Sequence, residues 1–261
     1  MIIIDEKYRI IPTIFPDKTS QVWKLPKEIL GNNSYSIQWF FESEAEFFHL
    51  AQLVELLRHH GTPRLDLEIP YLPYARQDKA VDNEASFALH TFARQLNALD
   101  FNIIKVFDVH SPDAFRLINR LREDGTFIDI VNQVVVDSKA DVICYPDAGA
   151  LQRYKGFLDP KIPYCSFSKE RDPLTGYIKK LTLNEKVELK DKRVLIIDDL
   201  CDGGMTFILT TKELLNYGVS NVDLYVSHGI FSKGTQVLRD AGINTIYLGA
   251  PTYEANTDIT L

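Results

Sequence analysis

The sequence predicts an α/β protein of two halves, each a mostly parallel sheet flanked by helices. Three observations predict it. Short apolar runs read as buried strands, helix-period segments separate them, and polar residues gather where the runs end. Strands that alternate with helices imply a parallel sheet covered on both faces. In such sheets, ligands sit beyond the carboxyl ends of the strands. A faint boundary near Asp124–Ile128 divides the 261 residues into halves 1–125 and 126–261. Each half suits one domain of roughly 100–200 residues, with the C-terminal tail free to return to the first half.

The elements follow in order. Glu44–His60 sets Phe47, Phe48, Ala51, Val54, Leu57 and Arg58 at helical spacing, and Gly61 ends it as a left-handed cap. Arg64–Pro70 is a short strand, followed by the loop Tyr71–Asn83. Glu84–Ala98 is an amphipathic helix, and Ile103–Phe107 a strand running into Asp108-Val109-His110-Ser111. The pattern then recurs with strand Val142–Tyr145, turn Pro146–Gly149 and helix Ala150–Phe157. Arg193–Ile197 is the clearest buried strand, ending in Asp198-Asp199. Turn Asp202–Thr206 leads to helix Phe207–Tyr217, then strand Val222–Ser227, a helix near Gly234–Ala241 and strand Thr245–Leu248.

Composition narrows the function classes. A net charge of −7 argues against non-specific nucleic-acid binding, which relies on basic side chains that neutralise phosphates. No apolar run approaches the ~20 residues that span a bilayer. The opening Met1–Glu6 lacks a basic n-region and a long apolar h-region, so no signal peptide is expected. The three cysteines, Cys144, Cys165 and Cys201, are widely spaced with no CxxC pair. They imply reduced thiols in a cytoplasmic setting, with Cys144 and Cys165 as small core residues. A soluble cytoplasmic globule with no nucleic-acid or membrane partner is the expectation.

The strongest chemical signal runs from Val194 to Phe207. An apolar strand delivers Asp198 and Asp199 to its end, and Asp202-Gly203-Gly204-Met205-Thr206 then turns into a helix. A helix amino terminus carries unpaired N–H donors and partial positive charge, which suits an anion. Two adjacent carboxylates after such a strand are costly without partners. They suit the hydroxyls of a sugar, directly or through a metal, while the turn holds its phosphate. The plainer alternative is a βα turn in which Asp202 caps the helix.

This segment resembles the ribose-phosphate loop of type I phosphoribosyltransferase-fold proteins. Further segments narrow the resemblance to the ribose-phosphate diphosphokinases, or PRPP synthetases. Ile69–Lys79 is similar to their nucleotide-binding loop, and Phe107–Ser111 to their metal-binding strand end. Tyr145–Ala150 with Arg153 is similar to their diphosphate-region loop, and Ser168-Lys169-Glu170-Arg171 to the base of their catalytic loop. The blocks stand in family order from about Arg64 to Leu248. The resemblance implies two phosphoribosyltransferase-like domains and a reaction in which the diphosphate of ATP passes to the anomeric hydroxyl of ribose 5-phosphate. Products are PRPP and AMP, and Mg²⁺ assists.

By resemblance, Lys169 is the catalytic cation and Arg171 assists it. Arg76, Gln77 and Asp78 bind ATP, with Phe15 and Asp17 reaching a neighbouring subunit's adenine. His110, Asp147 and Asp108 hold Mg²⁺. Alternation along an extended strand puts Asp108 and His110 on one side. Asp198, Asp199, Asp202, Gly203, Gly204, Met205 and Thr206 hold the ribose phosphate. The shared adenine site implies a homo-oligomer, a dimer or a hexamer.

The chain also departs from that pattern. Little precedes Arg9, so the family's amino-terminal strand and helix are not expected. Val81-Asp82-Asn83-Glu84 replaces a basic stretch, which points away from the usual phosphate-based control. Gly203 stands where Thr is common, and Met205 where Gly is usual. Either Met205 points into the core and ribose 5-phosphate binds normally, or the opened turn takes a larger 5-substituent, as in ADP-ribose. A phosphoribosyltransferase, which consumes PRPP, and a non-catalytic regulatory homologue are the other readings. The match at Tyr71–Lys79 and the presence of both Lys169 and Arg171 count against them.

Overall fold

In the computed structural model, which describes residues 1–79, 85–171 and 178–250, the chain divides into one unit from Met1 to Asp124 and a second from Gly125 onward. The first holds β1 (Ile2–Ile4), β2 (Tyr8–Ile10), β3 (Thr13–Ile14), β4 (Ser20–Gln21), β5 (Ser34–Trp39), α1 (Ala45–His59) and β6 (Arg64–Ile69). It continues with α2 (Ala88–Ala98), β7 (Ile103–Phe107), α3 (Ala114–Leu117) and β8 (Leu121–Asp124). Its main sheet has six strands in the order β2-β1-β5-β6-β7-β8. The run from β5 to β8 is parallel throughout.

The second unit holds α4 (Thr126–Ser138), β9 (Val142–Tyr145), α5 (Ala148–Tyr154), β10 (Tyr164–Arg171), β11 (Ile178–Leu183) and β12 (Arg193–Cys201). It closes with α6 (Met205–Asn216), β13 (Asn221–Gly229), α7 (Gln236–Asp240) and β14 (Ile243–Leu248). The sheet order is β11-β10-β9-β12-β13-β14, and only the β10–β11 pair is antiparallel. From β9 the chain first steps to β10 on one side and later returns to β12 on the other. The order reverses between β9 and β12. Such a reversal opens a crevice at the strands' carboxyl ends, where ligands bind.

Burial explains the cores. In β9 every residue is buried, and in β12 Val194 to Ile197 are buried, as strands covered on both faces require. Cys144 and Cys165 are cross-strand partners of β9 and β10 and are free buried thiols. Burial, then the neighbouring Cys165, pushes the Cys144 thiol well up, so Cys144 is an inert core residue. In the first unit Trp39, Phe47, Phe92 and Tyr74 pack ring against ring, with Tyr74 and Phe92 centroids 5.1 Å apart.

Several boundaries differ from the expectation, each for a local reason. A strand does precede Arg9. Ile2–Ile4 pairs antiparallel with β2 and β5 because three consecutive isoleucines suit a covered sheet position. Phe48 faces solvent, while Glu46 points inward and accepts from the Trp39 indole at 3.0 Å and the Glu42 amide at 2.9 Å. Helix α2 begins at Ala88, four residues later than its spacing suggests, because Phe87 leaves the helical region and the Leu89 amide donates to the Gln77 carbonyl. Helix α5 begins at Ala148 because the Asp147 side chain caps it. Strand β12 runs on to Cys201 because its pairing with β13 continues through Cys201 and Gly229. Asp198 and Asp199 therefore lie inside the strand. Helix α6 begins at Met205, so Met205 and Thr206 are in its first turn. Val81–Glu84 and the C-terminal tail lie outside the described residues.

Candidate active site

In the second unit the predicted residues meet at the β9–β12 crevice. Asp147 follows β9 directly, and its Oδ1 accepts from the Ala150 amide at 3.0 Å as the cap of α5. Its other oxygen, Oδ2, receives the Lys169 ammonium at 2.6 Å. Lys169 lies on β10 past the point where that strand leaves β9 and pairs with β11. Its side chain is only 9 % exposed, so the ammonium sits largely out of water. Arg153, on the last turn of α5, places its guanidinium 3.7 Å from the Asp199 carboxylate.

Charge accounts for the behaviour of the carboxylates. Burial pushes Asp147 upward, but the hydrogen bonds from Lys169 and the Ala150 amide, with the Lys169 charge, outweigh it. The carboxyl is held below its usual range. Asp198 goes the other way. Burial first, then the negative charges of Asp199 and Asp147, raise it well above the usual range, against a backbone hydrogen bond from Asp199. Two unit charges 4 Å apart interact by about 4 kcal/mol at an effective dielectric of 20. Carboxylates crowded in this way create a demand for positive charge or hydroxyl donors.

The 202–206 turn is built on backbone. Gly204 caps α6 in the left-handed region at φ 75°. A Cβ there would stand 2.8 Å from Leu238 Cδ2, so the turn needs glycine for both conformation and space. The first main-chain bond of the helix runs from the Ile208 amide to the Gly204 carbonyl, leaving the earlier amides outside the ladder. Gly203 is different. A Cβ at this position would meet only ordinary contacts, Lys233 Cε at 3.7 Å and Ser232 Oγ at 3.9 Å. Met205 does not enter the core. It is 50 % exposed at the first helical position, where its side chain projects from the surface.

The first unit carries the remaining candidates, all after carboxyl ends of parallel strands or on the small β3–β4 hairpin. Tyr74 adopts φ 63°, its carbonyl accepts from the Gln77 amide at 2.9 Å, and its hydroxyl donates to Glu44 at 2.7 Å. Burial and then Glu44 push that phenol up to about 12. This anchored ring presents Arg76 and Gln77 to solvent, with Asp78 half-buried beside them. Phe15 and Asp17 form the hairpin turn, where Asp17 accepts from the Thr19 amide and hydroxyl.

The shared face expected for Asp108 and His110 is not formed. The strand ends at Phe107, Asp108 turns left-handed at φ 42°, and Asp108 is buried while His110 is exposed. The alternation argument fails because it requires extended backbone. Among the described residues no three His, Cys, Asp or Glu side chains form a group able to hold a metal ion. Magnesium is compatible with the residues that are present. It usually takes one or two carboxylates and completes its shell with water and substrate phosphates, and the Asp147 carboxylate, held below its usual range, supplies such a ligand.

Sequence reasoning missed the brace beneath Lys169. The Glu185 carboxylate accepts from the Ser166 amide at 2.5 Å and from its hydroxyl at 3.0 Å. Ser166 is where β10 changes partner from β9 to β11. No motif marks Glu185, because its role exists only once the hairpin is paired. Ser232 and Lys233 stand beside Gly203 on the segment after β13, a neighbourhood that no motif marks. Arg171 ends β10, and its side chain lies outside the described residues.

Comparison with known proteins matches residues 126–246 to a phosphoribosyl transferase domain family. A ribose-phosphate pyrophosphokinase of Saccharolobus solfataricus is 26% identical over 93% of this chain and 84% of its own length. One from Pyrococcus furiosus is 28% identical over 84% of this chain and 77% of its own length. The crystal structure of phosphoribosylpyrophosphate synthetase from Mycobacterium smegmatis superposes with a TM-score of 0.77 at 17% identity. That match covers 94% of this chain and 82% of the other, and it shows a shared fold.

Proposed function

Because this chain belongs to the ribose-phosphate diphosphokinase family, we propose that it transfers the intact diphosphate of ATP to the anomeric hydroxyl of a 5-phosphorylated ribose. The anomeric oxygen forms a bond to the β-phosphorus, and the bond from that phosphorus to the oxygen bridging to the α-phosphate breaks. AMP leaves, and the hydroxyl proton is released. With ribose 5-phosphate the other product is PRPP. One observation carries the reading. The largely buried Lys169 ammonium meets the Asp147 carboxylate at 2.6 Å beside Asp198, at the carboxyl ends of β9 and β12.

Phosphoryl transfer needs little covalent help from the protein. It needs positioning and cations where charge spreads over the transferred oxygens. Lys169 supplies one cation, and Arg171 is assigned beside it. Asp198 and Asp199 orient the ribose hydroxyls, while the main-chain amides of 202–206 hold the 5-phosphate. Arg76, Gln77 and Asp78 bind ATP. Magnesium neutralises phosphate oxygens when bound. In the second unit Asp147 would be its carboxylate. Phe15 and Asp17 on an exposed turn suit contact with a nucleotide on another copy, which makes the working form a homo-oligomer.

A second reading has its own observation. Met205 stands at the surface, and beside Gly203 lie the exposed side chains of Ser232 and Lys233. Both favour an acceptor with a larger 5-substituent, such as ADP-ribose. Incubation with ATP, Mg²⁺ and either acceptor, following AMP release, tests both readings. No AMP with either acceptor overturns the assignment, and the ratio of kcat/KM values chooses between them.

A further inference from the structure

The space left by Gly203 has polar neighbours. The nearest atoms to the missing Cβ are Lys233 Cε at 3.7 Å, Lys233 Cδ at 3.8 Å and Ser232 Oγ at 3.9 Å. The Lys233 ammonium is one bond beyond that Cε. It has no ion-pair or hydrogen-bond partner among the described residues, and its side chain is exposed. Ser232 and Lys233 sit between β13 and α7, a segment held down at both ends. The Ile230 and Phe231 amides donate to the Cys201 carbonyl at 2.8 and 3.2 Å, and the Gly234 amide to the Phe231 carbonyl at 2.7 Å. A short turn therefore lays a lysine and a serine along the Gly203 side of the 202–206 turn. Any side chain larger than glycine at 203 would stand against them.

We propose that Lys233, with Ser232, is a specificity-determining part of the acceptor site, contacting the phosphate on O5 of the ribose from outside the 202–206 turn. This rests on the reading of that turn as the holder of the 5-phosphate. The main-chain amides of the turn and of α6 recognise an anion but carry no net charge. An ammonium adds a charge-assisted contact, roughly twice as strong as a neutral one. Gly203 is then a clearance for Lys233, and the serine hydroxyl next to it supplies the donor that the turn lacks.

The test is calorimetric titration of ribose 5-phosphate, and separately of ADP-ribose, into the full chain and into Lys233→Met, with unphosphorylated ribose as control. Lys233→Met should weaken both phosphorylated acceptors about tenfold, as loss of one charge-assisted contact does, and leave ribose unchanged. Raised salt should weaken binding to the unaltered chain more than to the variant. In turnover, KM for the acceptor should rise by a similar factor with kcat nearly constant, because the contact is made equally in ground and transition states. Lys233→Arg should retain most of the affinity. Equal affinities for the unaltered chain and Lys233→Met overturn the inference alone. An unaltered chain that binds neither phosphorylated acceptor overturns the inference and the reading of the turn together.

Discussion

The Lys169 ammonium lies 2.6 Å from the Asp147 carboxylate, so two residues 22 positions apart form one ion pair across the edge of the β9–β10 junction. The pair joins the cap of α5 to the hairpin arm. Without substrate each member neutralises the other. A transferring diphosphate would compete with Asp147 for the lysine, and a divalent cation would compete with the lysine for Asp147. Asp147 thereby spares the largely buried lysine from standing as a bare charge out of water, which would cost several kcal/mol.

Lys169→Ala should lower kcat by about 10²–10³, the usual effect of removing one preorganised electrostatic donor. The fold should survive, because the Glu185 brace that holds Ser166 lies elsewhere on the strand. Single-turnover AMP release measures it. Near-normal release would remove Lys169 from the chemistry.

Asp147→Asn keeps a residue that caps helices well but removes the charge. The Mg²⁺ concentration needed for half-maximal rate should rise. Stability should fall too, and with a defined sign. A carboxyl held below its usual range contributes stability above its unfolded pKa and loses it as pH falls through the folded one. The melting difference between this variant and the unaltered chain should therefore shrink toward acid pH. An unchanged Mg²⁺ titration would take Asp147 out of the metal site.

Much of this site can be read in the sequence, because its parts obey local rules. Four apolar residues before Asp198-Asp199 announce a buried strand, and a Gly-Gly turn before an amphipathic run announces a helix amino terminus. What is not legible depends on pairing. Asp198 and Asp199 lie within β12 because β13 continues alongside them. Glu185 acts only because β10 exchanges one neighbour for another at Ser166. Lys233 reaches Gly203 because β12 and β13 end side by side. The Asp108–His110 expectation failed for a related reason. Strand alternation was extended past Phe107, where the backbone had already turned left-handed.

Asp198→Asn should raise the melting temperature at neutral pH while abolishing turnover. Burial and the charges of Asp199 and Asp147 raise this carboxyl in the folded state. A raised group contributes stability below its unfolded pKa and loses it as pH rises through the folded one. The ionised form thus opposes folding near neutrality, and the neutral amide does not. Each 1 kcal/mol regained is worth about 2–4 °C in a domain of 150–250 residues. The gain should vanish in acid, where Asp198 is protonated anyway. A variant less stable at neutral pH would show that the carboxylate is satisfied as an ion.

Gly204→Ala tests the turn's backbone. A left-handed conformation costs a non-glycine residue roughly 1–2 kcal/mol, and the new methyl would also displace the tip of Leu238, 2.8 Å away. Denaturant unfolding should show a loss of at least that size, with a higher KM for the acceptor. Gly203→Ala is the control for stability alone, since its contacts are ordinary and it needs no such conformation. Equal losses at both glycines would mean that the turn is not built around Gly204.

Acceptor choice is the property on which the sequence departs furthest from its relatives, and the structure sharpens the test. Met205 is at the surface, so Met205→Gly removes no core packing and costs roughly the 1 kcal/mol of glycine's lower helix propensity. Gly203→Thr places a hydroxyl and a methyl against Lys233 and Ser232 and narrows the open side. The double variant Gly203→Thr with Met205→Gly should fold normally and bind ribose 5-phosphate through a side-chain hydroxyl as well as main-chain amides. A second phosphate on the 5-position would lose its room. If the unaltered chain prefers ADP-ribose, the ratio of kcat/KM values should move toward ribose 5-phosphate in the double variant. A chain that prefers ribose 5-phosphate from the start, with a ratio unmoved by the two substitutions, would exclude the larger acceptor and leave Met205 as an exposed helix residue without a role in binding.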